Sequence, residues 1–261
     1  MPRQKLGQHF LSSLTWRQHI AQTLPPAPDA TWIEIGAGHG EMTELLAARA
    51  SRIIAIETDH ALASALRMRF AAQSNIEIVE SDILSVNLNA LTSECFRVYG
   101  NLPYYITSPI LAHLFRFAPQ IESVHIVIQL EVAQRIVATP HHREYAYLSA
   151  LCQYFTHPEI VVRIPPGAFR PPPKVHSALV AMRLPGERAQ LGIENDSAFL
   201  EFLQRSFAQK RKTLRNNLKS IFSDDQIADA LAACKLTANS RAEELSLAQF
   251  AQLYRSLAPP R

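Results

Sequence analysis

Three of the eight glycines in the chain fall within five residues, at Gly36, Gly38 and Gly40. The cluster directly follows a β-branched, apolar run (TWIEI, 31–35) and directly precedes a helical pattern (EMTELLAARA). Glycine at a strand-to-helix turn permits a tight bend and a close approach of the backbone to a ligand. The cluster therefore predicts a βα unit of a parallel sheet, with a ligand outside the carboxyl ends of the strands.

The same alternation of short apolar runs and helical patterns continues over the first 160 residues. Further strands are predicted at 52–57, 76–79, 96–101 and 124–129. Two later strands, at 159–164 and 178–184, have only a proline-rich loop between them, which predicts an antiparallel addition to the sheet edge. Beyond Pro185-Gly186 the pattern is helical throughout. We therefore expect an α/β domain over 1–186, with a mostly parallel sheet between helices, and a small all-helical domain over 187–261.

Composition excludes several classes of protein. No run of about 18 uncharged apolar residues is present, so a membrane span is not expected. Residues 1–13 lack the pattern of a signal or transit peptide. The cysteines are odd in number and far apart, which fits reduced thiols in a cytoplasmic protein. His141-His142 has no accompanying cysteine or acid cluster, so no metal is predicted.

Acidic residues follow the next two predicted strands. Glu57 ends the second strand, 21 residues after Gly36, where a carboxylate can accept both hydroxyls of a ribose. Asp82 follows the third strand and can accept from an adenine amino group, with Ile83 against the ring. These residues indicate an adenosine-type ligand, either S-adenosylmethionine or NAD. Glu41 stands where a dinucleotide motif has its last glycine, which weakens the NAD alternative.

The tetrapeptide Asn101-Leu102-Pro103-Tyr104 closes the fourth strand. The nitrogen of an exocyclic amino group on adenine is a poor nucleophile because its lone pair is delocalised into the ring. The side-chain oxygen of Asn101 and the carbonyl of Leu102 can each accept one N–H and free that lone pair. Pro103 fixes φ and cannot donate, and Tyr104 can stack on the base. A simple strand-to-loop turn is the alternative for this segment.

The stretch from Arg205 to Lys219 carries six cations and no acid, although the net charge of the chain is only +3. A helix predicted over 212–222 has Leu214, Leu218, Ile221 and Phe222 on a face expected to be buried. The four-residue spacing of Arg211, Arg215 and Lys219 predicts one shared cationic face, next to Lys212. Such a face either binds a polyanion or is simply solvated.

Five motifs occur in order over nearly the whole chain: QKLGQHFL (4–11), EIGAGHG (34–40), NLPY (101–104), FRPPPKVHSA (169–178) and KRKTLRNNL (210–218). Together they resemble the ribosomal RNA adenine N6-dimethyltransferases. The last two motifs are most similar to those of the bacterial small-subunit RNA enzymes. The erythromycin-resistance enzymes, which modify large-subunit RNA, share the first four more loosely.

The resemblance implies a Rossmann-like, S-adenosylmethionine-dependent methyltransferase domain with a small helical domain. It implies two methyl transfers to each of two adjacent adenines near the 3′ end of 16S rRNA, within the immature small subunit, by a monomer. The implied donor site comprises His9, Leu11, Gly36, Gly38, Glu57, Asp82, Ile83 and Asn101. Phe169 would cap the target adenine opposite Tyr104. RNA contacts are implied at Lys174, Arg211, Lys212, Arg215 and Lys219.

Three other functions stay open at this point: a large-subunit RNA methyltransferase of the erythromycin-resistance type, a non-catalytic RNA-binding or assembly factor, and an NAD-dependent oxidoreductase. The last gives no reason for the NLPY segment. The chain also departs from the family pattern at Leu130, at Ala146-Tyr147 and at His39. These departures affect the expected RNA contacts more than the chemistry.

Overall fold

A computed structural model of the chain describes residues 9–257, so positions 4–8 of the first motif lie outside the described residues. The chain forms two compact units. The first comprises the residues up to Ala133 together with Pro158–Leu184. The second comprises Gln134–His157 together with the chain from Pro185 onward.

The first unit is built on a seven-stranded sheet, and every strand predicted from the sequence is present. Burial on both faces explains the continuous apolar runs: Ile33, Ile53 and Ile54 are completely buried. The strands of the chain, including a separate two-stranded pair, are β1 Phe10–Leu11, β2 Ala27–Ile35, β3 Ala50–Glu57, β4 Ile76–Glu80, β5 Phe96–Asn101, β6 Ile121–Gln129, β7 His157–Ile164, β8 Phe169–Arg170 and β9 Ser177–Arg183.

The order of strands in the sheet is β4-β3-β2-β5-β6-β9-β7. The pairs from β4 to β6 are parallel, and β9 pairs antiparallel with β6, as the sequence predicts. Strand order reverses at β2, whose neighbours are β3 and the later β5. The carboxyl ends of β2 and β5 therefore flank the point where open α/β sheets bind ligands.

Helices connect these strands and continue into the second unit. Asp59 caps one of them, because its carboxylate accepts from the amides of Ala61 and Leu62. The helices are α1 Leu14–Thr23, α2 Glu41–Ala47, α3 His60–Arg69, α4 Thr107–Leu114, α5 Leu130–Val137, α6 Tyr147–Phe155, α7 Arg188–Leu191, α8 Asp196–Ser206, α9 Leu214–Leu218, α10 Asp224–Ala233 and α11 Leu247–Leu257. The fold class is confirmed, with a mostly parallel sheet and a helical C-terminal region.

The two units are not separated by a single boundary after residue 186, which is where the sequence pattern changes. Residues 134–157, which include α6, belong to the second unit. Long-range contacts explain this: the hydroxyl of Tyr154 bonds to the carboxylate of Asp196 at 2.6 Å, and Gly186 N donates to Phe155 O. The ring of Tyr154 also packs on Phe199. The second unit is therefore built from two separate stretches of chain.

The helix predicted over 212–222 is wrong in its extent. α9 is five residues long, begins after Thr213 and ends before Lys219. The buried side chain of Asn217 donates to the carbonyls of Ser206 and Gln209, which holds the preceding residues in a turn.

Two features assigned to the predicted helix change with its extent. Arg211 and Lys212 lie in the turn, so Arg211 does not share a helix face with Arg215 and Lys219. Ile221 is 42% exposed and not buried.

In the described part of the chain, no helix is long and apolar enough to cross a membrane. Within residues 9–257, no group of three or more His, Cys, Asp or Glu side chains is arranged to hold a metal ion.

Candidate active site

A cavity lies in the first unit at the carboxyl ends of the parallel strands. The loops that follow β2, β3, β4 and β5 all contribute to it, as expected for a switch-point site. The lining residues are His9, Phe10, Ile35, Gly36, Gly38, Ile56, Glu57, Thr58, Ser81, Asp82, Ile83, Asn101, Leu102, Pro103, Tyr104, Ile106 and Ile110.

The glycine cluster shapes one wall of this cavity. Gly36, Gly38 and Gly40 all have positive φ values, at 71°, 59° and 84°. A Cβ atom at Gly36 would meet no protein atom within 4 Å, and because Gly36 lines the cavity, a side chain there would enter space that a ligand needs. A Cβ atom at Gly40 would lie 2.7 Å from side-chain atoms of Leu66 and Phe70. The absence of a side chain at Gly36 therefore keeps the cavity open. The absence of one at Gly40 lets Leu66 and Phe70 pack against the backbone.

Glu57 is 4% exposed, and backbone amides hold both of its carboxylate oxygens. Gly38 N donates to Oε2 at 2.9 Å, and Asp59 N donates to Oε1 at 2.9 Å. A carboxylate oxygen accepts more than one hydrogen bond, so each retains capacity for a hydroxyl donor. This arrangement fits the predicted contact with two ribose hydroxyls.

Three isoleucines and a second acid line the same cavity as Glu57. Ile56, Ile83 and Ile110 supply apolar surface of the kind that a planar ring packs against. Asp82 caps the turn that follows β4, because its Oδ1 accepts from Leu84 N at 3.0 Å. Within residues 9–257, no group bonds to the second oxygen of Asp82, which can therefore accept from an adenine amino group. These residues fit the adenosine part of S-adenosylmethionine.

The amide of Asn101 has a defined orientation. Its Nδ2 donates to the carbonyl oxygen of His9 at 2.9 Å. Because a carbonyl can only accept, the group that faces it must be the NH₂ and not the amide oxygen. Oδ1 is therefore left for the cavity, which Asn101 lines. This is the acceptor that activation of an adenine amino group requires.

The rest of the tetrapeptide is held by the sheet and by the start of α4. Leu102 N donates to Val127 O at 3.1 Å, and the carbonyl of Pro103 accepts from Ile106 N at 3.2 Å. The hydroxyl of Tyr104 bonds to the buried Ser177 Oγ at 2.9 Å. Burial raises the pKa of Tyr104, so the hydroxyl stays protonated at neutral pH. The ring of Tyr104 is therefore fixed at the cavity wall.

The N-terminal strand β1 contributes the opposite wall. The ring of His9 lies 5.5 Å from the ring of Tyr104, and its Nδ1 is 2.6 Å from Pro171 O. Phe10 lines the cavity and packs against Gly38, whereas Leu11 is 6% exposed and lies in the core. Successive side chains of a strand point to opposite sides, so the Phe10 side chain faces the cavity and that of Leu11 faces the core.

Sequence reasoning did not name three residues that line the cavity. Phe10 of the QHFL segment is one of them, whereas the side chain of Leu11 lies in the core. Thr58 and Ser81 also line the cavity, each next to a predicted acid. The position of residues directly after parallel strands was the available signal for this pair.

The structure does not bring Phe169 to the cavity. Phe169 pairs with Leu11 in the β1–β8 pair, is 2% exposed and belongs to the hydrophobic core. The ring that faces Tyr104 is that of His9. Lys174 is exposed in the loop before β9.

The predicted basic residues of the second unit differ in their surroundings. Arg215 Nε lies 3.2 Å from Asp224 Oδ1, and Lys219 Nζ lies 4.0 Å from the same oxygen. Arg211 and Lys212 are exposed in the turn before α9, with no ion pair to any described residue. An acid just outside the stretch therefore neutralises part of its charge.

Comparison with known proteins identifies the family of this chain. A family model described as "Ribosomal RNA adenine dimethylase" matches residues 2–259. The chain is 42% identical to a protein of Koribacter versatilis over 97% of this chain and 93% of the relative. It is 44% identical to a protein of Acidobacterium capsulatum over 97% of this chain and 90% of the relative. Both are named "Ribosomal RNA small subunit methyltransferase A".

Solved structures agree with the fold. A crystal structure of the 23S rRNA methyltransferase ErmE superimposes with a TM-score of 0.70 at 26% identity, over 95% of this chain and 99% of that one. A dimethyladenosine transferase from Plasmodium falciparum gives a TM-score of 0.78 at 23% identity, over 95% and 96% of the two chains. The family match over residues 2–259 and the two relatives at 42% and 44% identity show that the chain belongs to the ribosomal RNA adenine dimethylase family and is an S-adenosylmethionine-dependent methyltransferase.

Proposed function

We propose that this enzyme dimethylates N6 of two adjacent adenines in the 3′-terminal hairpin loop of 16S rRNA, within the immature small ribosomal subunit. The observation that carries the chemistry is the orientation of Asn101, whose Nδ2 is bonded to His9 O so that Oδ1 is available to the cavity. The small-subunit substrate is supported by 42% and 44% identity to proteins named for that subunit, against 26% to ErmE.

When bound, S-adenosylmethionine supplies an electrophilic methyl group on its sulfonium. Glu57, Asp82 and the three isoleucines of the cavity hold the nucleoside part at the carboxyl ends of β3 and β4. The glycine loop leaves room for it, because Gly36 has no side chain to fill the cavity. The chain thereby orients the donor towards the tetrapeptide after β5.

The target adenine lies against Tyr104, and its amino group donates to Asn101 Oδ1 and to the carbonyl of Leu102. These bonds strengthen as N6 becomes tetrahedral, so they favour the transition state over the ground state. The alkylated amine is strongly acidic and loses its proton to solvent, so no general base is needed before attack. Catalysis rests on positioning and on these two acceptors.

The predicted RNA contacts are part of the proposal. Five basic residues would bind phosphates of the RNA: Lys174, Arg211, Lys212, Arg215 and Lys219. Arg215 and Lys219 would contribute less to RNA affinity than the others, because both pair with Asp224. We also propose that the enzyme acts as a monomer in the cytoplasm. A capping role for Phe169 would need its ring to leave the core.

A methylation assay with purified components tests this proposal. The protein is incubated with S-adenosylmethionine carrying a labelled methyl group and with immature small subunits that lack the modification. We expect N6,N6-dimethyladenosine at two adjacent positions, and no label in large-subunit RNA. Label in large-subunit RNA alone would favour the erythromycin-resistance type. Tight binding to the particles without any label would favour an assembly factor.

A further inference from the structure

Tyr105, the residue after the tetrapeptide, is the one exposed Phe, Tyr or Trp side chain among residues 9–257. It is 71% exposed, whereas Tyr104 before it is half-buried. Tyr104 and Ile106 both line the cavity and Tyr105 does not, so Tyr105 stands immediately outside the site. An exposed aromatic ring next to a site for an RNA base offers a face on which a neighbouring base can stack.

The backbone that carries Tyr105 is fixed. The carbonyl of Pro103 accepts from Ile106 N at 3.2 Å and from the hydroxyl of Thr107 at 3.4 Å. α4 begins directly afterwards, at Thr107. Because hydrogen bonds hold the residues on both sides of Tyr105, its backbone is already ordered before a ligand binds.

Lys174 lies in the loop before the strand that contacts this turn. The bond between the Tyr104 hydroxyl and Ser177 Oγ joins the turn to the start of β9. Lys174 precedes Ser177 by three residues, which limits the separation of their Cα atoms to roughly 11 Å. Lys174 is exposed, and residues 95–121 and 160–186 contain no acid. These two segments therefore contain no carboxylate that would repel a phosphate.

We propose that Tyr105 is a stacking surface for the nucleotide that neighbours the adenine in the cavity, with Lys174 binding a phosphate of that nucleotide. This inference rests on the proposed function, in which the neighbour is the second of two adjacent adenines. Single-stranded RNA bases stack on exposed aromatic rings, and purines offer the larger face. Tyr105 thus holds the second adenine outside the cavity while the first is methylated.

Kinetics with immature small subunits test the stacking role. Tyr105→Ala should raise KM for the subunits by about 5- to 100-fold, with kcat and donor affinity nearly unchanged. Tyr105→Phe keeps the ring and should stay within about twofold of the wild type. Met68→Ala is the matched control, because Met68 is 76% exposed on α3 and does not line the cavity.

A base substitution separates stacking from a general effect on the fold. Subunits reconstituted with uridine in place of the neighbouring adenine should raise KM for the wild type and for Tyr105→Phe. Tyr105→Ala should show no further increase, because the contact is already lost. If the wild type forms dimethyladenosine while Tyr105→Ala keeps its KM and its preference for adenine, the stacking role is overturned and the proposed function stands. If the wild type forms none, the proposed function fails and the stacking role with it.

Discussion

Asn101 is the residue on which the proposed chemistry depends, because one amide both anchors the N-terminal strand and presents an acceptor. Asn101→Ala removes that acceptor and should lower single-turnover methylation at saturating donor by about 10²–10³-fold. Asn75→Ala is a matched control, since Asn75 Nδ2 also donates to a backbone carbonyl, that of Ala47, away from the cavity. A methylation rate near that of the wild type would exclude activation of N6 by this amide.

Glu57 determines affinity for the donor. Glu57→Ala should weaken binding of S-adenosylmethionine by about 1–3 kcal/mol, measured by calorimetry, because the ribose hydroxyls lose a charged acceptor. The variant also leaves the amides of Gly38 and Asp59 without their partner, so thermal stability should fall as well. Glu77→Ala, which removes an exposed acid from the neighbouring strand β4, should change neither. Undiminished donor affinity in the first variant would contradict the ribose contact.

At the level of elements, the short pair of β1 and β8 completes the cavity. Phe10 pairs with Arg170, Leu11 pairs with Phe169, and Ser12 N donates to Ala168 O. This pair presents His9 and Phe10 to the ligand. The opposite wall belongs to the large sheet, so the cavity requires both sheets of the first unit.

The turn before α9 carries two predicted RNA contacts that can be tested separately from the two in and after the helix. Replacing both Arg211 and Lys212 by glutamine should weaken RNA binding and reduce the slope of log affinity against log salt by about 1.5, because each lost phosphate contact contributes roughly 0.7–0.9. Replacing both Arg215 and Lys219 by glutamine should reduce the slope less, since Asp224 already pairs with both side chains. Equal slopes in both variants and the wild type would show that these four residues do not contact RNA phosphates and form an ordinary solvated surface.

At the scale of the whole molecule, a buried acid in β2 links stability to pH. Glu34 is 2% exposed, and burial, with smaller contributions from Glu41 and Glu57, raises its pKa to about 8. The native state therefore keeps a proton that the unfolded chain releases above its ordinary pKa near 4.5. Stability from this group is complete below about pH 4.5 and falls as pH rises towards 8.

Urea denaturation of the wild type and of Glu34→Gln measures this effect. The glutamine variant does not titrate, so its stability relative to the wild type should increase between pH 5 and pH 8, by about 1.4 kcal/mol per pH unit at most. Above the raised pKa of Glu34 the difference should level off. A difference that stays constant from pH 5 to pH 8 would show that the native protein does not hold this proton.

Local pattern in the sequence was sufficient for the strands, the glycine loop and the acids at strand ends. Each of these depends on residues within one βα unit, where apolar periodicity, φ freedom and chain order specify the conformation. Glu57, Asp82 and Asn101, which the sequence pattern singled out, all line the cavity, and their role in donor binding stays a prediction. The resemblance of the five motifs then indicated the chemistry.

Only the tertiary structure decided which side chains close the site. His9 contacts Pro171 and Asn101, which are 162 and 92 residues away along the chain, and these contacts place Phe10 at the cavity while Leu11 and Phe169 enter the core. The short length of α9 likewise follows from Asn217 bonding to the end of α8 and the turn after it. Contacts between distant segments form only when the whole unit packs, so no local pattern specifies them.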